Sequence, residues 1–346
     1  MGRFCVISWG SGLAFTTDDG GVTWASRELP SASSWSCIAY GDGSFVTPIY
    51  QSTSVAVSTD DGDSWALHEL PSASRWIAAT HGDGVFCVIA ELDTAAATSS
   101  DGGATWTARE LPASAQWTAI AHGGGVFCAI AAQGTTAATS TDGGQTWTTR
   151  QLPATRSWSA IAYGGGSFVA IGNDLSGAHV NVAAVSSDNG ATWSLVELPR
   201  CVPDWDIYTH STFYAITYGV GTFCAIGGGY GLVTSTDGGA TWIPRSFPDG
   251  YEGGWWSCIA YGGGSFCAAD SYDSFAITSP AGVTWTLQQL PDTLGWAHIA
   301  YAPRANTFSI IPPLHQRQRV GGMESHAIHA TGRTTRQSSL LQRGPL

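Results

Sequence analysis

Short runs of apolar and polar residues repeat along this chain, and one unit around Trp117 shows the pattern clearly. Trp117 to His122 reads as a first strand, followed by a turn at Gly123-Gly124-Gly125. Val126 to Ile130 reads as a second strand, and a short loop leads to a third at Thr136 to Thr139. A fourth run, Thr146 to Leu152, is expected to stop at Pro153, as suits an outer edge strand passing to the next unit. Four short strands in a period of about forty residues predict a β-propeller.

Between the third and fourth runs lies the motif that marks the period, Ser140-Thr141-Asp142-Gly143-Gly144-Gln145-Thr146-Trp147. Its pattern, small hydroxyl, x, Asp, x, Gly, x, Thr or Ser, Trp, ends at Trp24, Trp65, Trp106, Trp147, Trp193 and Trp242. A decayed copy ends at Trp285, with Pro280 in place of the Asp, and the intervals between these tryptophans are 41, 41, 41, 46, 49 and 43 residues. The physics is that of a tight hairpin loop. The Asp accepts from backbone N–H groups just downstream, Gly144 supplies positive φ, and the Trp anchors the strand that follows. On these copies the chain resembles the Asp-box (bacterial neuraminidase repeat) β-propellers of the sialidase-like superfamily. The resemblance implies that Asp19, Asp60, Asp101, Asp142, Asp188 and Asp237 are structural, set on the outer rim away from any ligand. The short, near-identical repeats are also similar to those of bacteriophage tail and bacterial surface proteins.

The pieces add up to an all-β fold, a seven-bladed β-propeller of four-stranded antiparallel blades. The chain opens on a second strand, Arg3 to Ile7, and closes with a lone first strand, Trp296 to Tyr301. Those two are expected to share one blade and seal the ring. Thr307 to Ile311 looks like a further second strand, which either packs on the seam or starts another repeat. Residues 1–311 are thus the propeller. Residues 312–346 hold five arginines and one glutamate, a charge of +4, and read as a basic, disordered tail.

Composition narrows the partners. The net charge of −12 argues against nucleic acid, and no apolar run is long enough to insert in a membrane. No signal peptide is evident, yet the resemblance favours an extracellular or virion-associated setting. Of the eight cysteines, Cys5, Cys87, Cys128, Cys224 and Cys267 follow a Phe at one repeat position, where other copies carry Val46, Val169 or Ser309. They read as small buried hydrophobes, with a Cys258–Cys267 bridge conceivable but not favoured. There is no CxxC spacing, and no metal or cofactor is expected.

Function is expected on one face. In a four-stranded blade the loops between strands two and three and the links from four to one share an end, and every irregularity of the chain falls there. One such loop contains Asp174; the link after it runs through Arg200, Asp204, Trp205, Asp206, Tyr208 and His210. The next link carries Tyr251, Glu252 and Trp255, and the following loop carries Tyr272 and Asp273. These aromatics and carboxylates are the expected ligand contacts: aromatic faces suit the C–H face of a sugar, and carboxylates accept from its hydroxyls. Trp35, Trp76, Trp117, Trp158, Trp256 and Trp296 open the first strands and read as packing between blades, with a set of equivalent shallow sites as the minority reading. The Tyr or His that follows each first strand reads as half-buried packing. The expected function is non-enzymatic recognition of a glycan or protein surface through the loop-rich face. A structural scaffold is one alternative. A sialidase-like glycoside hydrolase is the other, for which Arg75, Arg156 and Arg200 could hold a carboxylate but no Tyr–Glu pair is found. No catalytic residue is assigned.

Overall fold

The computed structural model describes residues 2–174, 180–201, 211–248, 251, 254–292 and 295–303. Residues 1–305 form one compact unit, and the basic tail together with Thr307 to Ile311 lies outside the described residues. Every described element is a β-strand, so no helix is long and apolar enough to cross a membrane.

Each sheet runs from an inner strand to an outer edge. In one, the order is Trp76–Gly82, Val85–Ala90, Asp93–Ser99 and Thr107–Ala115, with every pairing antiparallel. The second strands Arg3–Ser8, Ser44–Pro48 and Val126–Ala131 are buried at every position, because neighbouring sheets cover both faces. Their sequences are accordingly near-continuous apolar runs. The outer strands Ala25–Glu28 and Ser194–Glu197 are largely exposed and end in a glutamate, as suits an unpaired edge.

The expectation of seven discrete four-stranded blades is corrected. Five four-stranded sheets are discrete, and a sixth sheet is continuous over seven strands, from Trp117–Gly123 to Ser194–Glu197. The cause is Thr148–Gly164, a 17-residue strand that serves two repeats. Its first part pairs with Gln133–Ser140 and its second with Ser167–Asn173. Pro153 was expected to end this run and does not. The register jumps from Thr136↔Gln151 to Gly134↔Arg156, so Pro153 sits in a bulge where no ladder N–H is needed. The same jump surrounds Pro71 and Pro112, but there the strands end at Ser74 and Ala115, before the next begins.

The ring closes through both ends of the chain. Trp296–Ala302 pairs antiparallel with Arg3–Ser8 and occupies the inner position of that sheet. Arg3, buried, fixes this sheet to its neighbour: its guanidinium donates to both carboxylate oxygens of Asp18 at 2.7 and 3.0 Å, and to Asp63 across the interface at 2.6 Å.

A repeated latch joins the other sheets. The Tyr or His at the end of each inner strand packs on the Phe of its own second strand, with ring centroids 4.6 Å apart for His81–Phe86 and 4.8 Å for Tyr163–Phe168. It also covers a glycine of the preceding repeat: His81 on Gly41, His122 on Gly82, Tyr163 on Gly123, Tyr218 on Gly164, Tyr261 on Gly219 and Tyr301 on Gly262. A Cβ at any of these glycines would stand 1.9–2.0 Å from the ring. At the seam the seat is Ala302 instead, buried in the core that Tyr40 packs against, and there the Arg3 clamp spans the same interface. Trp35, Trp76, Trp117, Trp158, Trp256 and Trp296 are at most 1 % exposed, which removes the reading of equivalent shallow sites. All eight cysteines are free, and burial pushes the Cys5, Cys87 and Cys258 thiols up to about 12.

Candidate functional site

One end of the propeller carries the glycine turns and the Asp boxes. In the box at Asp142, Oδ1 accepts from the Ser140 hydroxyl at 2.8 Å and the Thr146 N–H at 2.9 Å, while Oδ2 accepts from the Thr146 hydroxyl. The boxes at Asp60, Asp101, Asp188 and Asp237 repeat these bonds, and Asp19 adds the N–H of Val22. Bonds from the Thr105 hydroxyl and N–H hold the Asp101 carboxyl at about 2, and Thr192 does the same for Asp188. The glycine of each box presses on the preceding sheet: Gly144 lies against Thr98 and Cys87, Gly190 against Thr139 and Cys128. In the decayed copy Ser279 takes the hydroxyl position opposite Phe266, and its oxygen reaches the Gly282 N–H three residues on rather than four. That turn is one residue shorter, and no single position keeps both the Asp's spacing from the hydroxyl and its spacing to Thr284.

The opposite end holds the loops and links. Here Asp270 is fully buried, and its carboxylate accepts from the N–H groups of Trp255 at 2.8 Å, Tyr272 at 2.7 Å and Asp273 at 2.9 Å. One carboxylate therefore ties the link before an inner strand to the loop after its neighbour. It sets the backbone of two aromatic residues, Trp255 and Tyr272, in place. Trp255 stacks on Tyr214 at 5.9 Å and 15°, and Tyr272 meets Trp255 at 5.8 Å and 71°. Trp255 is 49 % exposed and Tyr272 70 %. Tyr251 donates to Asp273 at 3.1 Å; its burial, with Asp270 and Asp273 beside it, raises its pKa further above the usual phenol range.

The structure thus brings together Tyr251, Trp255, Tyr272 and Asp273. Asp174 adjoins Asn173, whose side chain both donates to and accepts from the backbone of Phe213, the residue before Tyr214. Arg200 is exposed on the link that leads towards the same sheet. Asp204, Trp205, Asp206, Tyr208, His210 and Glu252 lie outside the described residues.

A second aromatic pair on this face was not marked by the sequence pattern. Trp9, 47 % exposed, packs on Tyr50 at 5.3 Å, and the Tyr50 hydroxyl donates to Glu91, a Tyr–Glu pair that the sequence did not reveal. A cleft of about 470 Å³ opens beside them, lined by Gln51, Arg75, Glu91, Leu92 and Asp93. Gln51 and Leu92 hold φ of 57° and 56°, where the equivalent position of the first repeat is Gly10 at 82°. A non-glycine residue pays for that backbone, and Leu92 is 55 % exposed, so nothing in the core requires it. Two left-handed side chains beside one cleft were the available signal, and short loops of regular length concealed them.

Between the inner strands runs an axial cavity of about 230 Å³, lined among others by Ile77, Thr118, Ser159, Tyr214, Cys258 and His298. Burial lowers the His298 imidazole to about 4, so it is neutral near pH 7. Among the described residues no group of three or more His, Cys, Asp or Glu is arranged to hold a metal ion.

A family model for the photosynthesis system II assembly factor YCF48 matches residues 8–252. No curated protein matches the chain. Among solved structures, virginiamycin B lyase from Staphylococcus aureus is similar at 14% identity, covering 86% of this chain and 96% of that one, with a TM-score of 0.61. YCF48 from Cyanidioschyzon merolae is 18% identical over 81% of this chain and 89% of that one, with a TM-score of 0.54. A structure of YCF48 bound to D1 peptide is 18% identical over 82% and 87%, with a TM-score of 0.53. At these identities the likeness is one of fold. The comparisons support a propeller of the BNR type and lend nothing to the sialidase or phage-tail resemblance in particular.

Proposed function

Since the chain belongs to the YCF48 photosystem II assembly-factor family, we propose that it is a non-enzymatic docking module that binds a segment of a protein partner on its loop face. The observation that carries this reading is the set of exposed aromatics on that face, Trp255, Tyr272 and Trp9, the first two held through their backbone N–H groups by Asp270 and the third packed on the half-buried Tyr50. Large, stiff side chains on a rigid scaffold are what interface centres use, since ordering them on binding costs little entropy. A relative whose structure holds a peptide supports a polypeptide as the partner class. The alternation of aromatic and carboxylate at Tyr272 and Asp273 would also suit a sugar, which makes a glycan the second reading.

The test is a display library of unrelated peptides screened in parallel with a glycan array, using the wild-type protein and Trp255→Ala. Peptide binding that falls at least tenfold on Trp255→Ala supports the docking module. Glycan binding with no peptide binding moves the protein to the second reading. Hydrolysis of a sialoside would overturn both.

A further inference from the structure

We infer that the corner formed by Trp255, Tyr272 and Tyr214 receives a cation from the partner, in the form of an arginine side chain. This rests on the proposed docking role and specifies its chemistry. Three observations converge. The Trp255 and Tyr272 rings meet edge to face at 5.8 Å and 71°, and Trp255 also stacks on Tyr214 at 5.9 Å and 15°, so three aromatic rings converge at one exposed corner. Ring faces carry negative potential, and a flat guanidinium stacks on them. Asp273, exposed beside Tyr272, adds a carboxylate whose Oδ2 accepts from Tyr251. Asp270, buried beneath, contributes a second negative charge at short range, since its oxygens lie within 2.9 Å of the N–H groups of Trp255, Tyr272 and Asp273.

Burying Asp270 costs desolvation energy that its three N–H donors offset, and what that arrangement secures is the posture of two exposed rings. Nothing in the core requires those rings to stay where they are, since both are largely in water. The chain as a whole agrees with the choice of a cation. Its net charge is −12, so the long-range field draws positive segments in. A partner carboxylate in the same corner would meet ring faces and two like charges. Among the described residues no arginine of the chain stacks on Trp255 or Tyr272.

The experiment uses the full chain and two probe peptides, acetyl-Gly-Arg-Gly-Arg-Gly-amide and its twin with citrulline for arginine, each fluorescein-labelled and read by anisotropy at low and moderate salt. Citrulline keeps the planar shape and length but loses the charge, with a carbonyl in place of one N–H₂ group. The expected result is binding of the arginine probe at least about fivefold tighter, weakening with salt. The preference should vanish in Tyr272→Ala, which alters a side chain 70 % exposed and leaves the fold intact by circular dichroism. Trp255→Ala should abolish it as well. Equal binding of the two probes overturns the inference, and so does a preference that survives both substitutions. If library peptides bind the face without regard to charge, the docking role stands and the cation corner falls. If the arginine preference holds and no library peptide binds, the corner stands and the docking role falls.

Discussion

Asp142 joins three donors with one side chain, and the cost of losing it follows from where those donors lie. Ser140 is buried, whereas the Thr146 N–H and hydroxyl are exposed and can turn to water. Asp142→Ala should therefore cost about 1–2 kcal/mol rather than the sum of three bonds, read as a lower urea midpoint at unchanged slope. Pro280→Asp should restore nothing, with a change within about 0.5 kcal/mol, because that turn is one residue short. The boxes were legible in the sequence because a local hydrogen-bond pattern needs fixed residue types at fixed spacing. Trp255 and Tyr272 were legible as residents of irregular loops. Asp270 ends a second strand with no local mark of its role, and its place as the hub depends on two backbone segments meeting in space. Trp9, Tyr50 and Glu91 come from three successive sheets, and nothing in their local sequence announces that they touch.

Among the elements, the latch and the seam make opposite demands. Gly123 must leave room for Tyr163, so Gly123→Ala should destabilise by about 1–3 kcal/mol, and Gly123→Ala with Tyr163→Leu should cost less than the sum of the two. Thermal unfolding of the four proteins of that cycle decides it. At the seam, Arg3→Met should cost clearly more than Arg27→Ala. Arg3 is 6 % exposed at the side chain and holds two acids, while Arg27 is 26 % exposed and shares only Asp63. Equal midpoints for the two variants would show that the clamp contributes nothing. The four-strand unit itself could be read from the sequence, and so could the pairing of the chain ends. What the sequence hid was the passage of Thr148–Gly164 through Pro153. A proline stops a strand only where its absent N–H is wanted, and the bulge that removes the want is a property of the pair, not of the run.

For the whole molecule, acid should act in two stages. His298, lowered by burial to about 4, and His122, lowered by burial against the opposing pull of Asp83, both bind protons more readily unfolded, near the ordinary value of about 6.5. Stability should therefore fall as pH drops from about 6.5 towards 4. Asp101 and Asp188, held at about 2, add a second loss as pH falls from about 3.8 through 2. Melting temperature against pH should show both stages, and His298→Gln should flatten the upper one alone. An unchanged upper stage in that variant would mean the axial imidazole is not what titrates.

The latch also gives the ring a direction. Every ring but Tyr40, whose seat is Ala302, reaches back to a glycine of the repeat before it, so each sheet has a donor flank and an acceptor flank that differ. A contact of that kind satisfies itself only by closing. Any arc that lacks its seam, through truncation or an unpaired Arg3–Ser8, presents an empty seat at one end and an uncovered aromatic at the other. Two such arcs fit head to tail, and so does a third. The geometry that makes the closed propeller monogamous would make its fragments polymerise into open filaments.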